Sequence, residues 1–168
     1  GFVVMNTLGL NTLAEVVDYA RKNPGKLSYG SAGLGSSSHL RIEMLKLRTG
    51  TDILHVPYRG SADAINDLLS GSVQLMNEII VLPHVKAGKL KLLCINHEQR
   101  NPEFPDVPTL TEAGYPNSDV PIWYSIQAPT GVPKEIIAVF NRKIVEIAKT
   151  DDMIRRMRAA LDNWRDGP

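Results

Sequence analysis

Apolar residues return at helical spacing over residues 12–23, where Leu13, Val16, Val17 and Ala20 make one stripe. Thr12 and Glu15 precede and enter that stripe as a T-x-x-E capping box, and NPGK at 23–26 ends it. A short strand at 27–30 runs into the glycine-rich stretch GSAGLGSSSHL, and a second helix is predicted over 37–48 with Leu40, Met44, Leu45 and Leu47 inward. TDILHVPY at 51–58 is the next strand, closed by Pro57. Ser61 is placed to cap a helix over 62–69 with Ile65, Leu68 and Leu69 inward and Gly71 as its stop. SVQLM is a strand, LPHVKAG a short helical turn, and KLKLLCI another strand. Helix and strand alternating through short connections predict an α/β fold with a mostly parallel sheet.

The pattern changes over 99–121, which holds five of the eleven prolines and reads as a surface connection with one short helix capped by Thr109 and Glu112. IWYSIQAP is then an apolar strand. A helix follows within GVPKEIIAVFNRKIVEIAK, with Pro133 in its first turn and Ile136, Ile137, Phe140, Ile144, Val145 and Ile147 as its stripe. A last helix over 152–161 carries Ile154, Met157 and Leu161. No segment of this sequence is evident as cover for these stripes, so a second sheet, mostly from chain beyond this sequence, is expected beneath them.

Composition narrows the function classes. The chain has 168 residues, 43% hydrophobic and 22% charged, with a net charge of +1. That is enough chain for one domain with a sizeable core, and the charge gives no field that favours nucleic acid. The arginines 155, 156, 158 and 165 are offset by Asp151, Asp152, Asp162 and Asp166, the pattern of a solvated helix face. The single Cys94 excludes an internal disulfide and reads as a small packed hydrophobe. No stretch is apolar enough to span a membrane and no signal peptide is evident. The sequence opens on GFVVM without an initiator Met, as a processed chain or an excised fragment would.

The chemistry concentrates in the turn 31–38. A helix start offers unpaired N–H groups and partial positive charge, glycines allow close approach, and serines add donors, so the turn suits an anion. It has no Walker lysine, and Gly30, Gly33 and Gly35 fall in the wrong order for a dinucleotide fingerprint. A carboxylate fits better than a triphosphate, and a plain connector between strand and helix fits as well. VPYRGSADA at 56–64 is a second turn of the same kind, and Arg59 is either a carboxylate partner or an exposed charge. Catalysis has thin support. A serine of 36–38 and His39 would face different ways on a helix, there is no G-x-S-x-G elbow, and the four histidines show no metal-ligand spacing. His39 is expected to pack or hydrogen-bond the loop, His55 to be structural, and Asp63 and Asp67 to face solvent.

Five stretches taken in order carry a resemblance: NPGKLSYGSAGLGSSSHL, DILHVPYRGSADAINDLLSGSVQLM, LPHVKAGKLKLL, PDVPTLTEAGYP and APTGVPKEIIAVFN. Together they resemble the solute-binding receptors of tripartite tricarboxylate transporters, the Bug family. The resemblance implies a periplasmic-binding-protein-like α/β fold, with one near-complete lobe over 8–118 and hinge strands and a partial first lobe over 1–7 and 119–168. It implies a non-enzymatic periplasmic receptor, monomeric when complete, that takes a small carboxylate and delivers it to the membrane permease, without cofactor, metal or nucleic acid. Carried over by position, the clasp is Ser31, Ala32, Gly33, Gly35, Ser36 and Ser37. The second cleft loop is Tyr58, Gly60, Ser61 and Ala62. After VQLM the family has an aromatic, an Asp and a longer loop, whereas this chain has NEIIV, with Glu78 in the Asp's place. The alternatives are a hydrolase or transferase with a serine nucleophile from 31–38, and a scaffold domain that binds nothing.

Overall fold

The computed structural model describes residues 1–121 and 125–161. The chain divides into two compact units, Gly1–Ile122 and Trp123–Pro168. The first holds strands β1 (Phe2–Met5), β2 (Ser28–Ser31), β3 (Leu54–Pro57), β4 (Leu75–Asn77) and β5 (Leu90–Cys94). Its helices are α1 (Leu13–Lys22), α2 (Ser37–Thr49), α3 (Ser61–Ser70) and α4 (Leu82–Lys86). The strands form one sheet in the order β3-β2-β4-β1-β5. β2 pairs in parallel with both β3 and β4, whereas β1 pairs antiparallel with β4 and β5. Four strands therefore share one direction and β1 alone opposes them, so the expected mostly parallel sheet carries one reversed strand inside it.

Each face of the sheet buries its own cluster. Phe2, Val4, Tyr29, Leu75, Leu93 and Cys94 pack with the α1 stripe and with Ile42 and Leu45 of α2. Val3, Met76, Leu90 and Leu92 pack on the other face with Ala64, Ile65 and Leu68 of α3 and Leu82 of α4. Residues of β1 alternate between the two clusters, Phe2 and Val4 on one face and Val3 and Met5 on the other, as the period of a strand requires. A register shift between Phe2 and Val3 lets β5 place both Leu93 and Cys94 on the first face. Burial pushes the Cys94 thiol up to about 12, so it behaves as a small apolar group rather than a nucleophile.

α1 forms as its sequence predicts. Leu13, Val16, Val17 and Ala20 are all buried and the Thr12 hydroxyl accepts from the Glu15 amide. α2 differs in phase. Leu40 and Leu47 are 43% and 78% exposed, and the buried side is Ser38, Arg41, Ile42, Leu45 and Thr49. Polar partners set that phase. Ser38 accepts from the Ala32 amide, and Arg41 Nε donates to the Val120 carbonyl and pairs with Asp119 at 3.0 Å. Hydropathy alone cannot weigh such contacts. The expected helix at 109 is a series of turns, although its box is made: the Thr109 amide donates to Glu112 and the Glu112 amide to the Thr109 hydroxyl.

In the second unit, α5 (Lys134–Ala148) and α6 (Asp151–Leu161) are the helices. The α5 stripe forms but none of its residues is buried, with Phe140 64% exposed. Of the strand expected at 122–129, residues 122–124 lie outside the described residues and 125–129 are irregular.

Candidate functional site

The parallel strands β2, β3 and β4 end side by side. Ser31 stands opposite Pro57, and Gly30 opposite Met76, one residue before Asn77. Carboxyl ends of strands in an open α/β sheet are where ligands bind. The first turn, 32–36, leaves β2 and opens α2. The second, 58–60, leaves β3 and opens α3. They touch, because the Tyr58 amide donates to the Ser31 carbonyl and a Cβ on Gly33 would stand 3.3 Å from the Tyr58 carbonyl oxygen.

The first turn is stitched to itself. Gly33 and Gly35 take φ of 121° and 76°, which side chains rarely adopt. Ser36 is the N-cap of α2, and its hydroxyl accepts from the His39 amide and donates to the Gly33 carbonyl at 2.7 Å. The Ala32 amide donates to Ser38 Oγ, the Gly33 amide to Ser31 Oγ, the Gly35 amide to His39 Nδ1, and the Ser36 amide to the Gly33 carbonyl. Four of the amides expected to face an anion are therefore occupied internally. Short hydroxyl side chains so near the backbone satisfy it locally. Among the described residues, the amides of Leu34, Ser37 and Ser38 keep no protein partner. Leu34, which sequence reasoning passed over, stands 81% exposed at the tip.

The second turn is propped by side chains. Gly60, not Ser61, is the N-cap of α3, and it offers no side chain to the helix amides. The Ser61 hydroxyl instead donates to Glu78 at 3.0 Å, which brings the end of β4 against this turn. The Tyr58 hydroxyl donates to Asp67 at 2.6 Å, so Asp67 is a partner rather than a solvent-facing charge. Burial, with that carboxylate, pushes the Tyr58 phenol up to about 12. Ala62 is exposed. The amides of Ser61, Ala62 and Asp63 have no internal partner among the described residues. Arg59 is exposed and forms no ion pair among them.

Behind the first turn lies a polar stack that the sequence did not reveal as a unit. Ser31 is fully buried, and its oxygen lies 2.7 Å from His55 Nε2. The His55 ring is 4.8 Å from Tyr29 and 4.2 Å from His39. The Tyr29 hydroxyl donates to Glu43, which also pairs with Lys46 at 2.6 Å. Burial and the neighbouring His39 hold His55 below the usual histidine range. For Glu43 burial acts upward, but bonds from Lys46 and Tyr29 outweigh it and hold the carboxyl low. A second chain runs from Asn77 Nδ2 to Asn96 Oδ1, from Asn96 Nδ2 to Asp119, and on to Arg41. Asn77 is 1% exposed and its Oδ1 has no partner among the described residues. The signal for it was available: a polar residue where the family pattern places an aromatic.

The Ser31–His55 contact does not make a nucleophile. Ser31 has no exposed surface and its oxygen is shared with the Gly33 backbone. No group of three His, Cys, Asp or Glu side chains able to hold a metal occurs among the described residues. No helix among them is long and apolar enough to cross a membrane.

Comparison with known proteins identifies the family. The family model described as Tripartite tricarboxylate transporter family receptor matches residues 1–159. Protein BugT of Bordetella pertussis is 36% identical over 154 residues, covering 90% of this chain and 47% of that protein. The solved structure of R. palustris Rpa4515 with adipate superposes with a TM-score of 0.83 at 33% identity, over 95% of this chain and 54% of that one. MatC from Rhodopseudomonas palustris with bound malate gives 0.82 at 30% identity, over 94% and 53%. The chain thus spans about half the length of the curated relatives it matches, and its fold is that of the periplasmic binding proteins.

Proposed function

The chain belongs to the tripartite tricarboxylate transporter receptor family, and from that premise we propose that it forms the ligand-holding part of a periplasmic receptor for a small carboxylate. The family is one of receptors, not enzymes. The observation that carries the reading is a pair of adjacent helix starts, α2 and α3, whose accessible amides at Leu34, Ser37, Ser61, Ala62 and Asp63 lack internal partners among the described residues. One carboxylate accepts from these donors with the dipoles of both helices behind them. Each such charge-assisted bond contributes about 1.5–3 kcal/mol. The clasp named from the sequence narrows accordingly. Ser31, Ala32, Gly33, Gly35 and Ser36 shape the turn, and Ser37 presents its amide. Tyr58 and Gly60 shape the second turn, and Ser61 and Ala62 present theirs. Glu78 accepts from a hydroxyl or ammonium elsewhere on the solute. Relatives captured with adipate and with malate support the chemical class.

In this reading the first compact unit, Gly1–Ile122, is one lobe and the second unit is part of the other; β1, expected as a hinge strand outside the lobe, lies within its sheet between β4 and β5. Closure follows ligand binding because the closed state makes more contacts with the solute. The loaded receptor hands its solute to the membrane permease of a tripartite carrier. Titration calorimetry with adipate, malate and succinate, against the uncharged diamide of adipate, tests it. Heat with the acids and none with the diamide is expected. Equal binding of the diamide, or no response to any acid, overturns the reading.

A further inference from the structure

We propose that His39 is a positioning residue for the glycine turn, and that a proton on its ring releases the half of the turn that begins at Gly35. The Gly35 amide donates to His39 Nδ1 at 3.1 Å. Only an unprotonated ring nitrogen accepts, so the neutral ring carries its hydrogen on Nε2. Protonation adds a hydrogen at Nδ1, two donors then face each other, and the bond is lost. Gly35 is free to respond. It is exposed, and no atom stands within 4 Å of the point a Cβ would occupy. Gly33 is held separately: Ser31 Oγ bonds both its amide and its carbonyl, and His55 holds Ser31 at 2.7 Å. The release is therefore confined to one side of the turn, where the amides of Leu34 and Ser37 flank Gly35.

The groups facing His39 come from three elements. From β3, His55 lies 4.2 Å away ring to ring, and from β2, Tyr29 lies at 6.5 Å. From its own helix come Glu43, whose carboxylate interacts with His39, and Lys46, which pairs with Glu43. Any effect of the His39 proton on carboxylate affinity rests on the receptor reading above. The turn's own response does not, and is measured without ligand.

The test is nuclear magnetic resonance on the 168-residue chain. The Gly35 amide resonance is expected to move with pH in step with the His39 ring, and long-range ring spectra to place the neutral hydrogen on Nε2. In His39→Asn the side-chain oxygen sits where Nδ1 sits and cannot titrate, so the Gly35 movement with pH is lost while its hydrogen-bonded shift is kept. In His39→Leu that shift is absent at every pH. A Gly35 resonance that stays still while the His39 ring titrates, a hydrogen on Nδ1 in the neutral ring, or an unchanged titration in His39→Asn overturns the proposal.

Discussion

The two turns at the carboxyl ends of β2 and β3 reach a similar outcome, a helix start with free amides, by opposite means. The first spends its serines and a histidine on its own backbone, so that four of its amides are occupied before any ligand arrives. The second leaves its backbone alone and sends its side chains outward, Tyr58 to Asp67 and Ser61 to Glu78. The first is thus rigid by local bonds and needs glycine dihedrals. The second borrows rigidity from α3 and β4. Rich donor chemistry in a loop sequence measures how well the loop can hold itself, and only the remainder is open to a ligand.

The sharpest way to break the comparison is Gly33→Val. A branched side chain at φ 121°, with its Cβ 3.3 Å from the Tyr58 carbonyl, both strains the first turn and pushes it off the second. Strain of about 1–3 kcal/mol is expected, with carboxylate affinity down on the order of 100-fold as about two charge-assisted bonds are lost. Calorimetry beside thermal melts separates the two. Gly35→Ala, where nothing crowds the Cβ, is the control and costs about 1 kcal/mol through its dihedral alone. Equal effects at both glycines would show that contact between the turns is immaterial. Tyr58→Phe comes next. It removes a bond to a carboxylate, and about 1 kcal/mol of stability in urea unfolding is expected to go, with affinity unchanged. Lost affinity at unchanged stability would make Tyr58 a ligand contact rather than a prop.

How far the sequence revealed this arrangement depended on whether a segment's fate was decided locally. α1 was legible in full, since its cap and stripe lie within one stretch of chain and the sheet accepted that face. The turns were legible too, because glycine and serine at a strand end have few other uses. α2 was misread in phase because its orientation is set by Arg41 reaching Asp119 and Val120, nearly eighty residues on. The reversed direction of β1 was hidden for the same reason: strand polarity follows from connections, not from an apolar run. The glycine and serine turns could be singled out from the sequence, whereas several contacts that distant side chains make behind them could not. Asn77 and Asn96 look unremarkable until the sheet and the loop after β5 bring them together.

The smallest expected effect separates the turns by acid. Only the first has imidazoles behind it. The folded state holds His55 below its ordinary value of 6.5, through burial first and the adjacent His39 second. The unfolded chain therefore takes up its proton at a higher pH than the folded one. The stabilisation this represents is complete above about pH 6.5 and declines as pH falls toward the folded-state value, where the native ring also charges. Glu43, held low in the fold, adds a loss of the same sign further into acid. Urea midpoints from pH 8 down through about pH 3 should therefore slope downward. His55→Asn, which cannot titrate, should flatten the upper part of that slope and leave the acid part, where Glu43 acts, in place. A His55→Asn chain whose midpoints track the parent throughout would remove the imidazole from the account and leave the stitching of the first turn to its serines alone.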